Sequence, residues 1–366
     1  MRTRAAVFHG PDLPFEITEI ELDEPSDGDV VVRMAAVGIC GTDLHSIRGE
    51  WNRPLPVVLG HEGAGVVEWV GSDVVELKPG DEVVLSWAPG CGECSDCAAS
   101  RPARCPTLNR AIAVSAGADG STHMALRGGP LHRGTATGCM AERVVVPARQ
   151  VLPTGGGIPL ADAALLGCAA LTGVGAVLFA ARVPTGASVV VVGVGGVGQF
   201  AVQGARIAGA KVIVAVDPLA ERRAAALRLG ATHAVEPDQL RALLREVAPG
   251  GVGFAFDAVG DPTTTDLALR STGGGGMTVI VGLPAAGRRL DLDPIELIRR
   301  ERSLVGCLYG SEDPARALPL LLEYVRAGRL ELASLVGTTH PLTRTDDAVA
   351  EALAGAPGRV LLDPSR

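Results

Sequence analysis

Four thiols, Cys91, Cys94, Cys97 and Cys105, stand with two, two and seven residues between them. Such spacing suits a closed tetrahedral metal site, and four sulfur ligands point to zinc. With every coordination position filled, this site can hold a loop in shape but leaves no place for a substrate. The competing reading, two disulfides, suits a small secreted domain better than a 366-residue chain able to bury a large core. The opening run Met1 to His9 carries two arginines but no long apolar segment of the signal-peptide kind. A reducing cytoplasm is therefore the expected compartment, and zinc the expected reading.

A second constellation lies downstream. The continuous β-branched run Ala187 to Val192 predicts a buried parallel strand, and Gly193-Val-Gly195-Gly196-Val197-Gly198 follows it directly. The glycines permit a tight turn, close approach of a pyrophosphate and close packing of helix on strand. The helix expected over about 199–209 presents its N-terminal amides to the anion. A second strand over 211–216 leads to Asp217, 19 residues beyond Gly198, where a carboxylate can accept hydrogen bonds from an adenosine ribose. Asp217 favours NAD over NADP because its charge would repel a 2′-phosphate. Arg222 and Arg223 are the counter-signal, to be weighed against a solvated helix face.

These motifs need elements to position them. Strand-like runs at 253–257 and 277–281, with helical segments between, predict a doubly wound parallel sheet over 170–309. Short strands and Gly/Pro turns dominate before it. A helix over 314–327 and a terminal strand over 359–362 follow. The predicted division is thus 1–169 with a metal lobe at about 88–108, then 170–309, then a return to the first domain over 310–366.

Composition agrees with a globular α/β chain. Charged residues make up 20% and hydrophobic residues 47%, the net charge is −8, and there are 48 glycines. No basic patch suggests nucleic acid. The stretch Ala163 to Ala181 is uncharged, but it is rich in Ala and Gly, so two buried helical pieces joined at Leu171-Thr172-Gly173 are expected rather than a membrane span. Cys168 inside it requires its own explanation.

The explanation comes from the first domain, where Gly38-Ile-Cys40-Gly41-Thr42-Asp43-Leu-His45 and Gly60-His61-Glu62-Gly-Ala-Gly65 precede the four-cysteine loop. The second segment, continuing to Gly71 and Val74, resembles the signature of zinc-containing alcohol dehydrogenases of the medium-chain dehydrogenase/reductase superfamily. The cysteine lobe and glycine motif follow in that family's order, and the resemblance spans essentially the whole chain. It implies a mainly β GroES-like catalytic domain with the zinc lobe, joined to a Rossmann domain. It also implies a catalytic zinc on Cys40, His61 and Cys168, with a fourth position for substrate oxygen. Two thiolates and one imidazole suit an open, Lewis-acidic zinc on chemical grounds as well.

By the same resemblance Asp43 and Glu62 support the ligands, and Thr42 and His45 form a proton relay. A hydroxyl both donates and accepts, and histidine exchanges protons near pH 7. Thr172 matches a residue close to the nicotinamide, Val281 and Leu283 positions that hold the carboxamide, and Arg359 a pyrophosphate ligand. Trp51 and Trp87, two of three tryptophans, match pocket-lining positions and offer flat faces to a substrate. The segment 107–143 resembles the lengthened loop of dimeric and aryl-alcohol enzymes. Gly41 departs from the liver-type pattern, which has a basic phosphate-binding residue there, and Asn109 and Arg110 only roughly resemble the thiol-adduct formaldehyde dehydrogenases. Cys139 and Cys307 carry no metal role.

The expected protein is therefore an alcohol dehydrogenase with two zinc ions per chain and NAD. It would interconvert a small-molecule alcohol and its carbonyl, with no nucleic-acid or membrane partner, as a homodimer or, alternatively, a tetramer. The rival readings are a biosynthetic reductase acting on an enal or iminium, a nicotinoprotein that retains its NAD, and a non-catalytic nucleotide-binding protein.

Overall fold

The computed structural model describes residues 1–117 and 120–366, so two residues of the 107–143 segment lie outside the described residues. The chain forms two units. One comprises Met1–Cys168, Asp313–Glu323 and Leu332–Arg366; the other comprises Ala169–Glu312 and Tyr324–Glu331.

The first unit is built on two sheets around a core of valines, leucines and methionines. The strand Asp29–Gly38 is the axis of the larger sheet. Its run of Val30, Val31 and Val32 is buried, as β-branched side chains on a two-sided sheet should be. It pairs with Glu62–Val70 on one side, in a register that sets Gly38 opposite Glu62. On the other it pairs with Arg359–Asp363, where Leu361 faces Gly38. Residues from opposite ends of the sequence thus meet where the strand gives way to the helix Gly41–Ile47. The 107–143 segment is partly regular, with a helix Pro106–Ala113 and short strands at Met124–Leu126, Gly129–Pro130 and His132–Arg133. Pro106 stands at the first helical turn, where its missing N–H costs no hydrogen bond.

The second unit holds one six-stranded parallel sheet. Its strands in chain order are Ser188–Val192, Val212–Val216, His233–Val235, Val252–Asp257, Thr272–Ile280 and Ser303–Gly306. They lie side by side in the order three-two-one-four-five-six, the doubly wound arrangement that places a nucleotide at the carboxyl ends of the central strands. The third and sixth strands escaped the sequence reading because they are three and four residues long and only half buried or exposed, so they carry no apolar pattern. The fifth begins five residues earlier than expected. Its first part, Gly273 to Gly276, has no side chains to signal a strand.

One expectation is corrected. The apolar stretch breaks at Cys168, which has φ −147° and ψ −66°, and not at Leu171-Thr172-Gly173. The helix Ala169–Gly175 runs straight through Thr172 and into the turn Ala176–Ala180. Its glycines serve close packing and do not break the helix: a Cβ on Gly173 would lie 2.3 Å from the Val197 carbonyl oxygen, and one on Gly175 would lie 2.6 Å from Gly310 Cα. Among the described residues no single helix is long and apolar enough to cross a membrane.

Candidate active site

The first unit brings Cys40, His61 and Cys168 together, with their ligating atoms within 4.8 Å of one another and all three residues buried. Cys40 comes from the start of the Gly41–Ile47 helix, His61 from the entry to the Glu62–Val70 strand and Cys168 from the break between two helical pieces. Asp43 ties two of these segments. Its Oδ2 accepts from the Cys40 N–H at 3.0 Å and its Oδ1 from the Gly60 N–H at 3.1 Å. The same Oδ1 lies 3.4 Å from His61 Nδ1, which leaves Nε2 as the nitrogen that could hold a metal. Burial opposes a charge on His61, but Asp43 and Cys40 outweigh it and raise its pKa to about 10. A hydrogen bond from the Cys168 thiol, with the Arg359 and His61 charges, holds the Cys40 thiol well below its ordinary range against the effect of burial. Two thiols and an imidazole, one thiol already biased toward thiolate, fit the donor chemistry of zinc.

Behind these three side chains lies a buried ion pair. Glu62 is fully buried, and its Oε2 stands 3.1 Å from Arg359 Nη2. Arg359 Nη1 donates to the Ile39 carbonyl at 3.0 Å. Burial pushes the Glu62 carboxyl up to about 7 despite the nearby guanidinium. The resemblance makes Arg359 a pyrophosphate ligand; the structure places its side chain against Glu62 and Ile39.

Thr42 and His45 are three residues apart on the Gly41–Ile47 helix and so share a face. His45 Nδ1 is hydrogen-bonded to the Glu50 carboxylate, and its ring stacks on Trp51 with centroids 4.7 Å apart and planes 17° from parallel. The Arg53 guanidinium lies over the Trp51 ring, 5.8 Å from its centroid, and Arg53 Nε donates to Ser46 Oγ. Trp51, expected as pocket lining, packs one face on His45, and Trp87 is buried. Glu50 was missed because nothing in its sequence context separates it from a surface carboxylate.

The sulfurs of Cys91, Cys94, Cys97 and Cys105 also lie within 4.8 Å of one another. The short helix Ser95–Ala98 and the turn Pro102–Arg104 fold the lobe so that its cysteines converge.

In the second unit three of the motif glycines stand in distinct settings. Gly193 has φ +81°, a conformation open to glycine, and a Cβ on Gly198 would lie 1.9 Å from the Gly193 oxygen. Gly195 stands just before the helix Gly196–Ile207, whose first residues are Gly196 and Val197, and a Cβ on it would meet no tight contact. The nearest group to a Cβ there would be the Arg222 guanidinium at 3.6 Å. Asp217 accepts from the Val194 N–H at 3.0 Å and the Leu219 N–H at 2.9 Å, so the glycine loop is tied to the carboxylate that follows the next strand. Arg222 stands 3.9 Å from Asp217, beside the loop and not on a remote helix face. Arg223 instead donates to the Asp217 and Pro218 carbonyls and pairs with Glu236. Thr172 and Val281 are buried, and Leu283 is 40% exposed.

Residues 26–156 match the alcohol dehydrogenase GroES-like domain, and residues 196–323 match the zinc-binding dehydrogenase domain. The chain is 37% identical to the NDMA-dependent alcohol dehydrogenase of Amycolatopsis methanolica, over 95% of each chain. It belongs to the zinc-containing alcohol dehydrogenases of the medium-chain superfamily. Two solved structures extend the likeness of this dehydrogenase, each covering 99% of both chains with a TM-score of 0.93. They are the alcohol dehydrogenase zinc-binding domain protein of Burkholderia ambifaria, 35% identical, and the benzyl alcohol dehydrogenase of Acinetobacter calcoaceticus, 29% identical. The fold is the expected one, a GroES-like catalytic domain with a four-cysteine cluster and a Rossmann domain.

Proposed function

We propose that this zinc-dependent alcohol dehydrogenase uses NAD and holds two zinc ions per chain, one on Cys40, His61 and Cys168 and one on Cys91, Cys94, Cys97 and Cys105. The observation that carries the reading is the buried convergence of two thiols and an imidazole with Asp43 behind the imidazole. When bound there, zinc supplies Lewis acidity that makes an alcohol oxygen acidic near neutral pH, and NAD accepts the hydride. Asp43 orients the histidine, Thr42 receives the alcohol proton, and His45, braced by Glu50 and Trp51, delivers it to water.

NAD is preferred to NADP because Asp217 stands where a 2′-phosphate would meet its charge. Arg222 beside it is the residue that could soften this preference. Gly193 to Gly198 take the pyrophosphate, while Thr172, Val281 and Leu283 serve the nicotinamide end. Trp87 lines the substrate pocket. The likeness to a benzyl alcohol dehydrogenase makes aryl alcohols the first substrates to try. The enzyme is proposed to be a cytoplasmic homodimer.

Elemental analysis with NAD reduction over aliphatic and aryl alcohols tests this reading. Two zincs per chain and turnover lost on chelation support it; one zinc retained with no alcohol oxidised refutes it. The relative named for NDMA dependence favours a second reading, a dehydrogenase that keeps its nicotinamide cofactor. In that case NAD stays with the protein through gel filtration.

A further inference from the structure

The second unit has a groove of about 570 Å³ that the dehydrogenase reaction does not use. It opens at the N-terminal ends of the strands Val252–Asp257, Thr272–Ile280 and Ser303–Gly306, the edge of the sheet opposite the Gly193–Gly198 loop. Five arginines line it, Arg241, Arg245, Arg270, Arg300 and Arg302, against one carboxylate, Glu296. The chain as a whole carries −8, so this concentration of positive charge is local. Arg241 and Arg245 are four residues apart on the helix Leu240–Val247 and so present a common face.

The partners of these arginines are the informative part. Arg270 is paired with Asp266 at 2.6 Å. Among the described residues, Arg241, Arg245, Arg300 and Arg302 form no ion pair. Arg302 is only 9% exposed, and the one hydrogen bond of its side chain runs from Nε to the Gly273 carbonyl at 3.4 Å. An arginine this deeply buried is ordinarily matched by a carboxylate, because an uncompensated guanidinium bears its desolvation cost alone. Burial, and then the neighbouring Arg300 charge, push the Arg302 guanidinium below its ordinary value. Glu296 acts the other way but forms no ion pair with it, so the forked N–H groups of Arg302 line a basic cavity with a single unpaired carboxylate. Planar guanidinium groups recognise phosphate oxygens through paired hydrogen bonds. Leu244 and Leu267 give the same groove an apolar wall.

We propose that this groove is a binding site for a diphosphate group, with Arg302 at its floor and Arg300 and Arg245 at its rim. It is separate from the nucleotide loop and independent of the identity of the alcohol. The diphosphate belongs either to a nucleotide, whose base would use the leucine wall, or to an inorganic ion.

The test is calorimetric titration of the zinc-loaded, NAD-saturated enzyme with inorganic pyrophosphate and, separately, with ADP, with zinc content checked afterwards. Saturation with NAD removes the glycine loop from competition. One pyrophosphate per chain is expected, weakening as salt rises and weakening at least tenfold in the exposed double variant Arg245→Gln/Arg300→Gln. ADP binding tenfold tighter than pyrophosphate assigns the site to a nucleotide, and equal binding assigns it to the inorganic ion. Arg302→Gln should abolish binding in either case; the rim variants keep the test decisive if that buried change disturbs folding. Absence of binding up to about 1 mM, the weak end of specific affinities, overturns the proposal. Binding unchanged in the double variant overturns it equally.

Discussion

Replacing Asp43 by asparagine should detach the histidine ligand from its support without changing the volume of the site. The carboxylate accepts two buried backbone N–H groups, Cys40 at 3.0 Å and Gly60 at 3.1 Å, one on each oxygen. An asparagine keeps one acceptor and turns an NH₂ toward the other N–H, so two donors face each other. Leaving one buried donor unsatisfied costs about 1–3 kcal/mol. The contact with His61 Nδ1 at 3.4 Å also loses its negative charge, and removing such a partner of a metal-bound histidine typically lowers metal affinity by about 10–100-fold. Asp43→Ala should be worse than Asp43→Asn, because it strands both donors. The assay is competition with a chromogenic chelator, following release of the more labile zinc, with thermal unfolding in parallel. An Asp43→Asn protein whose zinc affinity and melting temperature match the parent would refute the assignment of Asp43 as the brace of the site.

Three further outcomes follow from the geometry. Cys105→Ser should lower zinc from two ions per chain to one and reduce the melting temperature, while Cys40→Ser should lower it to one and abolish turnover; elemental analysis with activity separates the two sites. Gly198→Ala places a Cβ 1.9 Å from the Gly193 oxygen, so the loop must shift at a cost of about 1–3 kcal/mol, read as weaker NAD binding by fluorescence titration. Glu16 has its pKa lowered, first by its hydrogen bond to His9 and then, against burial, by Arg127. Its folded value lies below its unfolded one, so the stabilisation is complete above the ordinary carboxylate range and is lost as pH falls through the folded value. The melting-temperature gap between the parent and Glu16→Gln should therefore be present at pH 7 and close in acid.

Much of this protein was legible because its chemistry is local in sequence. The four-cysteine lobe lies within 15 residues, and the glycine loop adjoins its strand and helix. Cys168 was different. Its neighbours are apolar, so by composition it reads as a small core residue, and only the family resemblance connected it to Cys40 and His61. The break in the helix at Cys168 was hidden for a related reason: the glycines at 173 and 175 look like breakers, and the contacts that make them packing residues, Val197 and Gly310, are distant in sequence. Glu62 and Arg359 are separated by almost the whole chain, so their pairing leaves no trace in either segment. The stacking of Trp51 on His45 was likewise invisible, since spacing alone does not say which ring a tryptophan will pack against.

The strand Arg359–Asp363 sets a timetable for the newborn chain. Ile39 waits for a bond to a side chain 320 residues later. At about 5–20 residues per second, ribosomal synthesis takes roughly 16–64 s to cover that distance. Throughout that interval the Val37–Gly38 end of the Asp29–Gly38 strand is unpaired on the side that Arg359–Asp363 will take, beyond the part that Arg143–Pro147 covers, and Glu62 lacks its cation. The parallel sheet of the second unit, complete by Gly306, can be assembled well before the metal pocket closes. Cys40, His61 and Cys168 thus emerge first as part of an open half-domain, which closes only when the last strand arrives.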